Sequence, residues 1–191
     1  AYMVISIAML GFGASGSGLA MARRIMQGWE AFCMRIAALA STASLVLCHA
    51  AAQSIPFETF ELVSQPTQFW WLAVLYLILA APFFFLASAI TLAFFLESHA
   101  VGRLYAFNMT GSGLGAVAVA LLLYHVPPVA MPSVLTGASA IATLLLFMPG
   151  WRDLVKGCVF LLLIGGTLAA MGPVSIRVSQ YKGLSYTLQY P

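Results

Sequence analysis

Apolar residues run along this chain in long blocks, neither alternating as in a half-buried strand nor confined to one helical stripe, and polar residues collect in the gaps. Six blocks emerge, at about residues 2–22, 36–52, 69–96, 104–124, 133–148 and 157–172. A helix crossing a hydrocarbon core about 30 Å thick needs about 17–25 such residues. The pattern therefore predicts an all-α fold, a polytopic transmembrane bundle of about six helices within residues 1–172. The fifth and sixth blocks are the shortest. The third is over-long and contains Pro82, in LAAPFFFLAS; proline removes an amide donor and crowds the turn before it, which predicts one bent helix.

Beyond the last block the pattern changes. In SIRVSQYKGLSYTLQYP, Ile176, Val178, Leu184, Tyr186 and Leu188 alternate with polar residues around Gly183, which predicts short strands at the start of a β-containing extramembrane domain. Residues 173–191 are thus expected to be a junction. The opening AYMVISIAML, without an initiator Met, and the ending TLQYP suggest that both ends are cut from a larger polypeptide.

Composition agrees with lipid as the main solvent. Of 191 residues 62% are hydrophobic and 7% charged, against about 45–50% and about 25% in a soluble domain. The apolar excess recurs along the chain, unlike that of a cleavable signal peptide. A net charge of +3 with no polybasic patch gives nothing for nucleic acid to hold. Cys33, Cys48 and Cys158 lie far apart without metal spacing and read as small apolar helix residues.

Charge placement predicts orientation, since arginine and lysine are retained on the cytoplasmic side. Arg23, Arg24 and Arg35 follow the first block, Arg103 the third, and Arg152 and Lys156 the fifth. The alternate connections, QSIPFETFELVSQPTQ and HVPPVAMP, carry none. The Tyr2 end, the loops around Glu58, Glu61 and Pro127, and the C-terminal tail are therefore expected outside, in the periplasm of a bacterial cell. Trp70, Trp71, Tyr76 and Tyr124 at outer ends, with Trp29 and Trp151 at inner ones, suit an interfacial belt. Glu58 and Glu61 read as one solvated face of an outer helical turn.

The run GFGASGSG, at residues 11–18, fits G-x-G-x-x-G, the spacing of a dinucleotide phosphate loop. Such a loop needs a soluble sheet around it and an acid about 20 positions later. No sheet pattern surrounds this one, and Glu30 comes too early. Helices in lipid instead associate by close backbone approach at small residues spaced three or four apart. Gly11 with Ser15, Ala14 with Gly18, and Gly111 with Gly115 have that spacing, so all six are candidate helix-packing residues. The recurrence of GSG in the first and fourth blocks admits a three-helix duplication of the transporter kind, although the flanking sequences do not repeat.

No Asp, Glu, Lys or Arg lies inside a block. Intramembrane charge marks proton relays and ion pathways, so its absence argues against a proton-coupled transporter or an ion channel. Asn108 and Thr110 form the most polar pair within the apolar region; an interhelical hydrogen bond is the plainer reading, and the NMT sequon they contain is badly placed for glycosylation. His49 and His125, near the outer ends of their blocks, have the chemistry of axial ligands to a haem or a chlorophyll magnesium, but no second feature of a cofactor pocket accompanies them. Interfacial histidines bonded to water or headgroup are the plainer reading. His99, in LESHAVGR, reads as an inner-surface residue paired locally with Glu97 and Arg103. Catalytic residues, metal spacing and cofactor-binding sets are not expected in residues 1–191.

Three stretches together resemble the membrane domain of spermidine synthase-like proteins, the fused transporter and spermidine synthase chains. ISIAMLGFGASGSGLA is similar to their helix opening ALLGxGxSG. LILAAPFFFLASAITLAF and VGRLYAFNMTGSGLGAVAVALLL are similar to their proline helix, basic turn and GRxYxxDxxGxxxG helix, with Asn108 standing where that pattern has an acid. VSQYKGLSYTLQYP looks like the junction to their aminopropyltransferase-like domain. The resemblance implies a bacterial inner-membrane protein whose catalytic residues, if any, lie downstream. Three functions follow as expectations. The first is a non-catalytic domain that anchors an extramembrane domain and packs with other membrane subunits, one form of it being an accessory subunit of a respiratory or photosynthetic assembly. The second is the anchor of an active aminopropyl- or methyltransferase. The third is a transporter of a small neutral or lipophilic solute along the Asn108 face.

Overall fold

A computed structural model describes residues 2–55, 66–147, 155 and 157–159. Every regular element among them is helical, and no strand occurs. The chain forms α1 (Tyr2–Met26), α2 (Glu30–Ser54), α3 (Thr67–Leu96), α4 (Val101–His125) and α5 (Met131–Phe147). Short 3-10 turns at Ser98–Ala100 and Pro128–Ala130 precede α4 and α5. Four helices are long and apolar enough to cross a membrane, and α5, at 17 residues, is shorter. Most of the sixth block, the strand-like tail at 173–191, the Glu58 and Glu61 turn, Trp151, Arg152 and Lys156 lie outside the described residues.

The helices begin and end where local chemistry requires. Gly28 follows α1 with φ +85°, a left-handed conformation that costs glycine little. Its N–H donates to the Glu30 carboxylate at 2.9 Å, and the Trp29 N–H donates to the Met26 carbonyl at 2.9 Å. The resulting turn is tight. α2 starts at Glu30, six residues before its apolar block, because a charge in the first helical turn suits the positive end of the helix dipole. α3 stays helical through Pro82. Its last turn closes with the Glu97 N–H on the Ala93 carbonyl at 3.0 Å, and the chain turns directly into α4.

Packing centres on α3, which lies against both α1 and α2; α2 also packs on α5. Although joined by a short turn, α1 and α2 rest chiefly on α3 rather than on each other. The buried face of α1 is Ile7, Gly11, Ser15 and Leu19, a strict four-residue spacing. At Gly11 the backbones meet: an added Cβ would lie 2.6 Å from Phe83 Cβ, 2.8 Å from the Ala80 carbonyl oxygen and 3.0 Å from the Phe84 amide nitrogen. Those three residues bracket Pro82. On the other side of α3, Ala89 meets Ala37 and Ala38 of α2.

Among the described residues five of the ten buried apolar side chains are alanine, whereas large ones such as Leu77, Phe107 and Leu114 are exposed. A water-soluble core would reverse this, because burying a large aliphatic or aromatic side chain contributes about 1.5–3 kcal/mol. Small residues inside and large ones outside fit association by backbone proximity within a hydrocarbon solvent.

This packing yields a test on glycines of one helix. Gly11→Ala should lower the thermal unfolding midpoint of the detergent-solubilised protein, with an overpacking cost of about 1–3 kcal/mol. Gly13→Ala and Gly16→Ala, where an added Cβ meets nothing within 4 Å, should leave it unchanged or raised, since alanine favours a helix over glycine by about 1 kcal/mol.

Candidate functional site

Three features stand out once the helices are assembled: a hydroxyl cluster, two apolar grooves and an uncovered helix. The cluster ties α2 to α5. Thr42 is fully buried, with its hydroxyl 2.8 Å from that of Ser139 and 3.1 Å from that of Thr143. Thr143 also donates to the Ala38 carbonyl at 3.3 Å. Four-residue spacing puts Ser139 and Thr143 on one face of α5, and Ala38 and Thr42 on one face of α2. A hydroxyl in hydrocarbon without a partner is costly, so the mutual bonds fix the register of the two helices. Here the hydroxyls consume one another and leave little for a polar ligand.

Beside the cluster, α3 and α5 stand apart over α2 and leave a groove of 760 Å³. Leu45, Pro82, Phe83, Leu86, Leu135 and Leu146 are among its lining residues, and its wall is almost wholly apolar. Its size is that of a small-molecule site, which ordinarily includes a few placed polar groups. Lacking those, the groove suits hydrocarbon: a lipid chain or another helix. A second groove, of 370 Å³, lies between α1 and α2 with α3 behind it.

α4 is uncovered. None of its 25 residues is buried against the rest of the chain. Gly111 and Gly115 face open space, Thr110 is exposed, and Asn108 is half-buried. Each of these positions thus presents its polar or small group to whatever surrounds the protein.

The remaining expected residues divide. Gly11 and Ser15 lie in the α1–α3 seam, where the Ser15 hydroxyl donates to the Phe12 carbonyl at 2.8 Å. Ala14 is exposed, and Gly18 is exposed with an added Cβ 3.9 Å from Phe84. All of residues 11–18 are helical, so GFGASGSG forms a packing surface and no phosphate loop. His49 on α2 is half-buried with an Nε2 that has no hydrogen-bond partner, and His125 is exposed at the end of α4. The two imidazoles stand on different helices, α2 and α4. His99 pairs with Glu97 at 3.3 Å, at 79% and 50% side-chain exposure, where such a pair contributes little. Among the described residues no group of three His, Cys, Asp or Glu could hold a metal.

Two stacked arginines are absent from the sequence reading. Arg23 lies over the Phe95 ring at 5.3 Å, and Arg35 over Phe147 at 5.5 Å. Each contact joins residues from different helices, so no local spacing announces it. The Thr42 cluster was partly visible as STAS beside a later SAIAT, without a means of pairing the two.

These features define a class: a protein whose described residues are helical, with helices long and apolar enough to cross a membrane and grooves lined almost wholly by apolar groups. No protein-family model, curated protein or solved structure matches this chain.

Replacing Thr42 tests the cluster. Thr42→Val keeps the shape but leaves the Ser139 and Thr143 hydroxyls short of a partner, and should destabilise the protein by about 1 kcal/mol. Thr91→Val, which removes only an intrahelical bond to the Ala87 carbonyl at 2.9 Å, should cost less. Titration with a denaturing detergent, followed by circular dichroism, compares the two.

Proposed function

We propose that this chain is the non-catalytic membrane domain of a bacterial inner-membrane protein, one that anchors an extramembrane domain and packs against other membrane subunits. The single observation that carries the reading is α4: a helix of 25 residues with none buried, carrying the Gly111 and Gly115 pair and Asn108. Lipid satisfies such a helix as hydrocarbon, but neither needs a glycine face nor bonds a carboxamide. A neighbouring helix does both.

The groove beside α5 supports the same conclusion, because it gives a partner helix a second apolar surface. Arg23, Arg24 and Arg103, exposed at helix ends, fit a cytoplasmic face, with the Tyr2 end and the tail periplasmic. The likeness of the glycine and proline stretches to the spermidine synthase-like membrane domain supports an aminopropyltransferase-like domain as the anchored part. In one form of this reading the chain is an accessory subunit of a larger respiratory or photosynthetic assembly.

The reading predicts a partner that depends on α4. Gly111→Leu and Gly115→Leu should each lower the yield of a stoichiometric membrane partner after mild detergent extraction, while the unfolding midpoint of the isolated chain stays unchanged. A homogeneous monomer in wild type, with no partner at any detergent concentration, overturns it.

A further inference from the structure

One hydroxyl of the large groove is not consumed by its neighbours. Ser41 of α2 is 3% exposed and lines the groove between α3 and α5. Its carbonyl accepts from Ser44, but among the described residues its hydroxyl has no hydrogen-bond partner. Nor is that oxygen sealed in, for the one sealed and unpaired side-chain polar atom among them is His49 Nε2. Met34, Ser41 and Cys48 line the groove along one face of α2, over about 21 Å at 1.5 Å per residue, with Ser41 midway. An acyl chain has nothing to bond a hydroxyl at that depth. A carboxamide can both donate to it and accept from it.

The single asparagine of the chain, Asn108, lies on α4, which buries no residue and leaves the groove of its own copy unfilled. Arginines allow its depth to be compared with that of Ser41. Arg23 over Phe95 and Arg35 over Phe147 bring the ends of α1, α3 and α5 and the start of α2 to one end of the bundle. α4 starts at that end too, directly after α3. From Arg35 to Ser41 is six residues, about 9 Å along α2, and from Arg103 to Asn108 is five, about 7.5 Å along α4. Copies in one bilayer share an orientation, so Asn108 of one copy comes level with Ser41 of another. Gly111 and Gly115 lie on the same face as Asn108, and a Cβ at either meets nothing within 4 Å. Without side chains there, that face can settle between α3 and α5. One side of a helix about 10 Å across fills about 800 Å³ over that length, close to the 760 Å³ of the groove.

We propose that α4 of one copy lies in the α2–α3–α5 groove of a second copy of this chain, with the Asn108 carboxamide bonded to the Ser41 hydroxyl. The inference rests on the packing of α4 against other membrane subunits proposed above, and names the subunit. It joins two unlike surfaces, so a pair that exchanges α4, or a ring of copies, satisfies every groove.

The test uses the full chain in membranes, with Cys33, Cys48 and Cys158 replaced by Ala. Copies carrying Ser41→Cys with one tag and Asn108→Cys with another, expressed together and oxidised with copper phenanthroline, should form a disulfide between the tags. Thr110→Cys in place of Asn108→Cys, about 200° round α4 at about 100° per residue, should not. Energy transfer between labelled wild-type copies in phosphatidylcholine vesicles should reveal association that weakens on dilution with lipid. Ser41→Ala and Asn108→Leu should each lower that association about threefold to tenfold, the worth of one interhelical hydrogen bond, and together no further than either alone. Additive losses overturn the bond between the two residues. A disulfide at monomer mass in a chain carrying both cysteines overturns the proposal in favour of closure by the chain's own α4, and retained lipid without self-association overturns it in favour of a lipid occupant. No disulfide between tags, with a different membrane protein retained through α4, overturns the second copy alone and leaves the reading above standing; a monomer with no partner ends both.

Discussion

The contact between α1 and α3 at Gly11 governs how this molecule is assembled. Three α3 atoms, two of them backbone, lie within 3.0 Å of where a Cβ would be, so the two helices meet main chain to main chain. Dispersion between tightly apposed surfaces is summed over many atoms and falls quickly with a gap. In lipid that term stands in for hydrophobic burial, which hydrocarbon surroundings remove. The alanines of the α2–α3 seam follow the same rule, and α3 can sit between two helices because its faces toward both are small. Pro82 falls at the α1 contact, where the ring adds bulk without an amide that would need a partner.

Polar groups are managed on the same principle. Ser15, Ser44, Ser88, Thr91 and Thr136 return their hydroxyls to carbonyls three or four residues earlier on their own helices. Those bonds cost the fold no partner elsewhere and specify nothing between helices. Thr42, Ser139 and Thr143 bond across the α2–α5 boundary and do specify it. The difference matters because a wholly apolar interface tolerates sliding, whereas a hydroxyl cluster has one satisfied register.

Open surfaces lie where packing stops. α1, α2, α3 and α5 form a layer whose grooves are open to the surroundings, and α4 leaves it without burying a residue. The glycines of α4 stay uncovered in this arrangement.

The sequence by itself determined that the described residues are helical and include four segments of membrane-crossing length, because apolar runs of that length depend only on local composition. Blocks two and five differ from α2 and α5 mainly at their ends, where Glu30 and Arg35 join α2 despite their charge and Met131 and Pro132 join the first turn of α5. Spacing also named Gly11 with Ser15 as one face and Ala14 with Gly18 as its neighbour. Only the tertiary structure decided that the first face meets α3 while the second lines or borders an open groove. The same spacing at Gly111 and Gly115 is uncovered in this chain. Spacing settles which residues share a face, but whether another helix lies against that face is a long-range matter, and in helices apolar all round no amphipathic stripe points to it. The stacking of Arg23 on Phe95 and the Thr42 cluster were decided there too, since each joins residues far apart in the chain through contacts that only the assembled helices create.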